Sequence, residues 1–295
     1  MMKPFSHERW AIDLSLLLNA VLGQERFPVD VATLARDYTA QKFPNDPVTL
    51  VKGQPLRDFD GALYRAPEGK RGWGIFYNSA IASVGRINFT LGHEFGHYLL
   101  HRAAYPNGFR CGEQDVVRWD SEYGQLEHQA NVFSANLLMP LDDYRRQIAQ
   151  DAKVNLDMIG HCADRYRVSL IAATLRWLQY TVRRAELVVS RDGLILWSRA
   201  SERALKTGAF FRTSGPPIAV PCASLVAKRD MLADGRTGAD MASGVWFAEE
   251  TREMTIFAEQ YDFALTLLLL ENRDYFVPLE PEPEADVCDR IVSRI

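Results

Sequence analysis

Cysteine is scarce in this chain, and the few cysteines are too far apart to form a compact site. The 295 residues contain four, with no C-x-x-C pair among them: Cys111, Cys162, Cys222 and Cys288. A zinc ribbon needs such pairs, and a disulfide framework needs a denser set in a shorter chain. We therefore expect reduced thiols and a cytoplasmic protein.

Long apolar runs and an excess of one charge are also missing. The apolar stretch 265–270 is far shorter than the roughly 20 residues of a membrane-spanning helix. Residues 1–10 lack the continuous apolar core of a secretion signal. The formal net charge of -4 provides no general attraction to nucleic acid. We expect no membrane partner, and DNA contact only through a local basic patch.

The distribution of apolar residues predicts an α+β protein. With 47% hydrophobic residues the chain can bury a core, and its length suits two domains. Helical spacing recurs in the first part, at 8–22, 29–38, 90–101, 126–138, 156–166 and 170–180, while 61–64 and 73–78 are short extended candidates. We predict a mainly helical first domain with a small sheet over residues 1–182.

The pattern changes after residue 186. Two β-rich runs, 187–190 and 194–197, flank Arg191-Asp192-Gly193, which is a hairpin signature. Further strands are predicted near 245–248, 254–259 and 264–269. We predict a second α+β domain over residues 183–278 and a mobile tail, rich in Pro and Glu, over 279–295.

The pattern H-E-x-x-H at residues 93–97 indicates a metal site. Positions i and i+4 of a helix share a face, so His93 and His97 can both turn imidazole nitrogens toward one ion. Glu94 projects beside that ion, where it can accept a proton from metal-bound water instead of coordinating. The motif is short, but the apolar residues around it fit a buried helix: Leu91, Phe95, Tyr98 and Leu99.

The ends and neighbours of this helix carry further candidates. Asn88 or Thr90 is the predicted N-cap. Tyr98, His101 and Tyr123 are candidates for stabilising a negatively charged oxygen during catalysis. His101 follows His93 by eight residues, which places it roughly 12 Å further along the helix axis. That is too far for the same ion, so we predict that His101 packs against the site or supports it.

Catalytic zinc usually takes three protein ligands, so two histidines need a partner. Glu127 is the preferred candidate, because it lies on a second apolar helix that can pack against the first. Asn131 follows one turn later and can bond the far nitrogen of a zinc-bound histidine or brace Glu127. Glu122 and Glu113 are weaker alternatives, and His128 points away from Glu127 on the helical wheel.

One predicted strand suggests a way of holding substrate. If the strand 73–78 has an exposed edge beside the metal helix, an extended peptide could add to it. The candidate residues for this edge are Trp73, Ile75 and Tyr77. An ordinary hairpin strand is an equally good interpretation.

The helix pair at about 155–182 resembles a helix-turn-helix, with Ser169 as the predicted N-cap of its second helix. Basic residues around it agree with DNA binding: Arg165, Arg167, Arg176, Arg183 and Arg184. However, the second helix is largely apolar and leaves few polar side chains to contact bases. We favour packing or substrate binding over direct DNA binding.

Two segments together are similar to the ImmA/IrrE-type metallo-endopeptidases. The first is N-F-T-L-G-H-E-F-G-H-Y-L-L-H at residues 88–101, and the second runs from Glu127 through Ala130 and Asn131 to Pro140. The similarity covers about residues 25–180, and two long motifs at this separation are specific.

The resemblance implies a zincin-like catalytic fold with a gluzincin-like site. In it, His93, His97 and Glu127 hold one Zn²⁺, or Mn²⁺ or another divalent ion, and Glu94 is the general base. The implied substrate is a helix-turn-helix repressor of XRE type or an antitoxin-like partner, whose cleavage relieves repression in a stress, phage or mobile-element response. Some members carry a sensory domain, so we expect residues 183–278 to be of GAF or PAS type.

Two alternatives have no peptidase activity. The first is a non-catalytic or DNA-associated regulator that acts by binding its repressor partner. The presence of Glu94 beside three ligands argues against it, since a binding module has no need of a base. The second is a metal-dependent hydrolase of a substrate that is not a protein.

Overall fold

A computed structural model describes residues 6–112, 122–229, 235–258 and 262–272. The architecture is mixed α+β, as predicted, with a helical region and two sheets. Among the described residues, no helix has both the length and the apolar character needed to cross a membrane. The predicted tail, 279–295, lies outside these residues.

The first part of the chain is mainly helical and contains the smaller sheet. Its helices are α1 (His7–Leu22), α2 (Val31–Lys42), α3 (Val84–His101), α4 (Glu122–Leu138), α5 (Leu141–Gln147), α6 (Leu156–Tyr166) and α7 (Leu170–Leu178), with a 3₁₀ turn at Gly23–Arg26. Its strands are β1 (Val48–Gln54), β2 (Phe59–Arg65), β3 (Trp73–Asn78) and β4 (Gly108–Gly112).

Side-chain caps begin several of these helices. Ser169 accepts the backbone N–H of Ala172 at the start of α7, as predicted. The metal helix α3 begins earlier than predicted, because Ser83 accepts the N–H of Arg86. Asn88 and Thr90 are therefore not N-caps. They lie inside α3, where both are buried.

The smaller sheet has the order β1-β3-β2-β4. β3 pairs in parallel with β1 and antiparallel with β2, which pairs in turn with β4. β3 is thus an interior strand with partners on both sides. α3 packs against this sheet on one face and against α4 on the other.

The second part is built on a larger sheet with the order β7-β6-β5-β10-β9-β8. Its elements are β5 (Arg184–Arg191), β6 (Leu194–Ala200), α8 (Glu202–Lys206), β7 (Ile218–Ala219), α9 (Leu225–Lys228), β8 (Ala239–Met241), β9 (Thr251–Ala258) and β10 (Phe263–Leu270). The predicted hairpin of β5 and β6 is confirmed. Asp192 and Gly193 both have positive φ, 51° and 74°, as a tight two-residue turn requires.

Residues 245–248 do not form the predicted strand. Gly244 has a φ of 89°, and its N–H donates to the carbonyl of Phe247, so the chain turns at this point. The turn buries Trp246, whose indole N–H donates to Glu253.

The larger sheet is buried on both faces. Leu187, Met254 and Leu267 belong to the same apolar cluster as Phe95 and Trp177 of the first part. A second cluster covers the other face, with Val188, Trp246 and Leu268 among its members. The core is therefore continuous across residue 182. The domain boundary and the GAF or PAS type of the second part stay predictions.

Candidate metal centre

Three glycines let α3 approach its neighbours closely around the H-E-x-x-H motif. A Cβ added to Gly61 on β2 would lie 2.6 Å from Oε1 of Glu94. On the other side of α3, a Cβ on Gly92 would lie 2.4 Å from Oγ of Ser134, and one on Gly96 would lie 2.9 Å from the ring of Phe133. Real side chains do not fit at such distances, so both the sheet and α4 rest directly against the motif.

α3 and α4 together bring three buried side chains to one point. Nε2 of His93 lies 3.1 Å from Oε2 of Glu127, and Nε2 of His97 lies 3.2 Å from Oε1. The two Nε2 atoms are 2.9 Å apart. His93, His97 and Glu127 are the group of the described residues that is suited to hold a metal ion.

The other carboxylate and histidine candidates do not join this group. Glu113 lies outside the described residues, as does the side chain of Glu122. His128 is exposed on the neighbouring face of α4. His101 is buried, but it contacts Nδ1 of His97, on the side of that ring opposite the Nε2 atom that faces Glu127.

Hydrogen bonds behind the group orient both histidine rings. Nδ1 of His93 lies 2.9 Å from Oδ1 of Asn131. Nδ1 of His97 lies 3.0 Å from Nδ1 of His101, whose Nε2 lies 3.0 Å from Oε1 of Gln129. An amide oxygen can only accept, so Asn131 receives the Nδ1–H of His93, and Gln129 receives the Nε2–H of His101.

These bonds determine the tautomer of each histidine. Burial lowers the pKa of His101, so its ring is neutral, and Nδ1 is left as an acceptor for the Nδ1–H of His97. Both His93 and His97 then carry their proton on Nδ1 and turn the Nε2 lone pair toward Glu127. Gln129 carries no signal in the sequence, because nothing in its spacing along the chain links it to His101.

The charge states of Glu127 and His97 agree with metal binding. Burial tends to raise the pKa of Glu127, but the close side-chain contacts and charge interactions with His93 and His97 outweigh it and hold this pKa well below its usual range. Burial lowers the pKa of His97 to about 3, against the opposing contact with Glu127. Both groups are therefore deprotonated at neutral pH, as metal ligands must be.

The donor set fits a divalent cation. With Nδ1 protonated on both rings, two lone pairs and a carboxylate face one another at 2.9–3.2 Å. Such acceptors repel unless positive charge lies between them. Ligand atoms about 2.0–2.1 Å from a tetrahedral zinc ion stand roughly 3.3 Å apart, which is close to these distances.

Glu94 lies on α3 directly after the first histidine and is fully buried. Gly61 of β2 lies against Glu94 and against Thr90, which is one turn earlier on α3. The structure thus holds the carboxyl group of Glu94 beside the metal group but outside the donor set.

Tyr98 is buried within the core and not at the metal group. Its hydroxyl donates to the backbone carbonyl of Asp46 at 2.6 Å, and its ring packs edge-on against Trp73. Burial raises its pKa to about 12. The hydroxyl is engaged at Asp46, so Tyr98 supports the packing of α3.

The predicted substrate-edge strand is wrong. Trp73, Ile75 and Tyr77 lie on β3, whose backbone groups pair with β1 and β2. Trp73 and Ile75 are also fully buried. An apolar strand with partners on both sides has no edge to which a peptide can add. Among the described strands of this sheet, the outer positions belong to β1 and β4.

Most of the arginines in and near the helix pair α6 and α7 form hydrogen bonds with other residues of the protein. Arg165 bonds Asp143, and buried Arg176 donates to the carbonyl of Met139. Arg184 forms two short bonds with Glu249 at 2.6 and 2.7 Å, and Arg183 donates to the Asp151 carbonyl. These guanidinium groups do not form a free basic surface. The preference for packing or substrate binding by this pair, over direct DNA binding, stays a prediction.

Part of the chain matches a known protein family, and most of it is similar to a solved structure. Residues 49–178 match the IrrE N-terminal-like domain of peptidase family M78. Among solved structures, a Mycobacterium tuberculosis transcriptional regulator is similar over 87% of this chain and 87% of its own, with 14% identity and a TM-score of 0.47. No curated protein matches the chain.

Proposed function

We propose, from the membership of residues 49–178 in the IrrE N-terminal-like domain family, that this chain is a zinc-dependent endopeptidase. The buried group of His93, His97 and Glu127, with Glu94 beside it, is the observation that carries the proposal. The substrate we propose is a helix-turn-helix repressor of XRE type or an antitoxin-like partner. Its cleavage would relieve repression in a stress, phage or mobile-element response, in the cytoplasm.

The three ligands support this chemistry through their charge and donor type. Two neutral imidazoles and one carboxylate suit Zn²⁺ best, and Mn²⁺ or another divalent ion can use the same atoms. When bound there, the ion supplies Lewis acidity that polarises a peptide carbonyl and makes water more acidic. Asn131 and His101 hold the two histidine rings in the required tautomer.

Glu94 is the residue that moves the proton. It is excluded from the donor set, is shielded from solvent and lies next to His93 in the helix. We propose that its carboxylate accepts a proton from the attacking water and returns it to the leaving amine. The close packing of Gly61 keeps the carboxyl group in place for both transfers.

The test uses Glu94→Gln protein and a purified helix-turn-helix repressor of XRE type as the candidate substrate. We expect wild-type and variant protein to bind one zinc ion each, measured by elemental mass spectrometry. The variant should cleave its partner on the order of 10²–10⁴-fold more slowly, measured by mass spectrometry of the products, because general acid–base catalysis is lost.

The matched control is Glu68→Gln, which changes an exposed carboxyl group far from the motif in sequence. It should cleave at the wild-type rate. Cleavage at that rate by Glu94→Gln would contradict the mechanism. Zinc-loaded wild-type protein that binds the partner without cutting it would support the alternative, a regulator that acts by binding.

A further inference from the structure

A groove of about 1110 Å³ lies beside the metal centre, between α3, α4 and α7 on one side and β6, α8 and the start of β10 on the other. We propose that this groove recognises the substrate and takes an apolar segment of it that is flanked by an acidic residue. The inference rests on the proposed function and adds the chemistry of the recognised segment.

The groove adjoins the residues that support the metal centre, on the Nδ1 side of His93. Asn131 lines it, and the side-chain oxygen of the same Asn131 holds Nδ1 of His93. Phe89, one turn before His93 on α3, also lines it. A peptide segment in the groove would therefore lie behind the ring of His93, and the adjoining residues of the substrate would extend from there toward the metal group.

Two helices present apolar stripes to the groove. α4 contributes Val132, Ala135 and, just beyond its end, Met139, and α7 contributes Ile171 and Leu175. Each set recurs at three, four or seven residues, so each is one face of its helix. The volume exceeds the roughly 300–1,000 Å³ of a typical small-molecule pocket. It suits several side chains of a peptide better than a single metabolite.

The charge at the groove is positive. Arg199 on β6 is exposed and forms no ion pair or side-chain hydrogen bond with any of the residues that the structure describes. By contrast, Glu202 on the same wall is paired with Lys206, and Arg86 on the opposite wall is paired with Asp60. Arg176 also lines the groove, but it is buried and donates to neutral oxygens of Met139, Gln179 and Asn136. The exposed charge of the described lining that lacks an ion partner is therefore that of Arg199. A substrate carboxylate beside the apolar segment would neutralise it.

The larger sheet and α8 thereby help to select the substrate. Arg199, Glu202 and Leu205 form one wall of the groove and come from β6 and α8, outside the matched domain. Leu205 is 49% exposed and adds apolar surface to this wall of the groove. One part of the chain supplies the metal ligands, and the other supplies a wall that selects the substrate.

The experiment measures peptide binding without cleavage. The probes are two fluorescein-labelled peptides with the same apolar centre, one flanked by aspartates and the other by lysines. They are titrated into the full zinc-loaded chain carrying Glu94→Gln, and binding is followed by fluorescence anisotropy. We expect the acidic peptide to bind about tenfold more tightly than the basic one, and Arg199→Glu to reverse this order.

Apolar recognition is tested with a matched pair of leucines. Leu205→Glu, in the groove, should weaken binding of the acidic peptide about tenfold. Leu196→Glu should not, because Leu196 is similarly exposed, at 43%, but does not line the groove. Both positions are on the surface, so the fold should tolerate both changes, and circular dichroism verifies this.

Several results would overturn the inference. They are equal binding of the two peptides, no binding of either, or an Arg199→Glu variant that keeps the wild-type order. A groove that serves self-association would show a dimer in sedimentation that Leu205→Glu dissociates, with no peptide binding. If the acidic peptide binds as expected and wild-type protein still cleaves nothing, the proposed function fails while the groove assignment stands.

Discussion

At the metal centre, His93 and His97 each use Nδ1 for a hydrogen bond inside the protein and turn Nε2 to Glu127. The partner of His93 is a single amide oxygen, that of Asn131. The partner of His97 is His101, which Gln129 holds in turn. Both arrangements keep the rings fixed before an ion binds, so little conformational entropy is lost on binding.

Replacing His101 tests this orienting role. His101→Phe keeps an aromatic ring in the buried site but removes the acceptor for the Nδ1–H of His97. We expect zinc affinity to fall roughly 10- to 100-fold, as is usual for outer-sphere partners of a ligand. The measurement is competition with a chromogenic chelator.

Two further variants make the result specific. Gln129→Leu should also weaken zinc binding, but less, because it acts on His97 only through His101. His161→Phe changes an exposed histidine on α6 and should leave the affinity unchanged. Wild-type affinity in His101→Phe would show that the ring of His97 is held by packing alone.

At the scale of elements, the position of α3 depends on contacts that leave no room for a side chain. β2 lies against Glu94 at Gly61, and α4 lies against the opposite face of α3 at Gly92 and Gly96. The helix that carries the motif is thus clamped between a strand and a second helix. This clamping is what brings Glu127 of α4 to the histidines.

Gly61→Ala tests the contact between β2 and α3. Its added Cβ would lie 2.6 Å from Oε1 of Glu94 and 2.5 Å from Cγ2 of Thr90. We expect peptide cleavage to slow at least about tenfold, because Glu94 is displaced. We also expect the free energy of unfolding to fall by about 1–3 kcal/mol, because the contact is overpacked. Zinc affinity should not change, since the three ligands lie elsewhere.

The control for this variant is Gly160→Ala in α6. Among the described residues, its added Cβ would contact a guanidinium nitrogen of Arg236 at 4.0 Å and clash with none. Alanine should stabilise the helix by up to about 1 kcal/mol. Urea denaturation gives both free energies. Equal stability and activity for Gly61→Ala and wild type would mean that β2 yields without moving Glu94.

At the scale of the whole molecule, the larger sheet contains a buried acid with few partners. Glu186 on β5 is fully buried, and the N–H of Phe211 donates to its Oε1 at 2.9 Å. Its Oε2 has no hydrogen-bond partner among the described residues. Nearby Glu253 is also buried but accepts four hydrogen bonds. Burial raises the pKa of Glu186 from 4.5 to about 7.

This pKa predicts a loss of stability as the pH rises. Between pH 4.5 and about 7 the folded chain holds a proton on Glu186 that the unfolded chain releases. Stability from this group is therefore complete below pH 4.5 and is lost as pH rises through about 7. The slope is at most about 1.4 kcal/mol per pH unit, or about 3 kcal/mol over the window.

Glu186→Gln should remove this part of the pH dependence. The measurement is the free energy of unfolding in urea at several pH values from 5 to about 8. Glu250→Gln, an exposed change in the same part of the chain, should leave the dependence as in wild type. An identical pH slope for Glu186→Gln and wild type would show that the acid is not protonated in the folded chain.

The sequence alone determined the parts that depend on local periodicity and motif. The positions of α1, α6, α7 and the hairpin of β5 and β6 follow from apolar spacing and turn residues, and the structure agrees. The motif at 93–97 and the segment after Glu127 indicated the family, which the match over residues 49–178 confirms for that part. Such features depend on residues close together in the chain.

Only the tertiary structure decided which distant surfaces meet. It placed β3 in the interior of its sheet and so removed the predicted substrate edge. It joined Gln129 to His101, and it brought Arg199 to a groove next to Asn131. Strand order and helix packing are set by the burial of apolar faces against one another across the whole chain. Contacts of that kind have no local sequence pattern, so spacing along the chain does not reveal them.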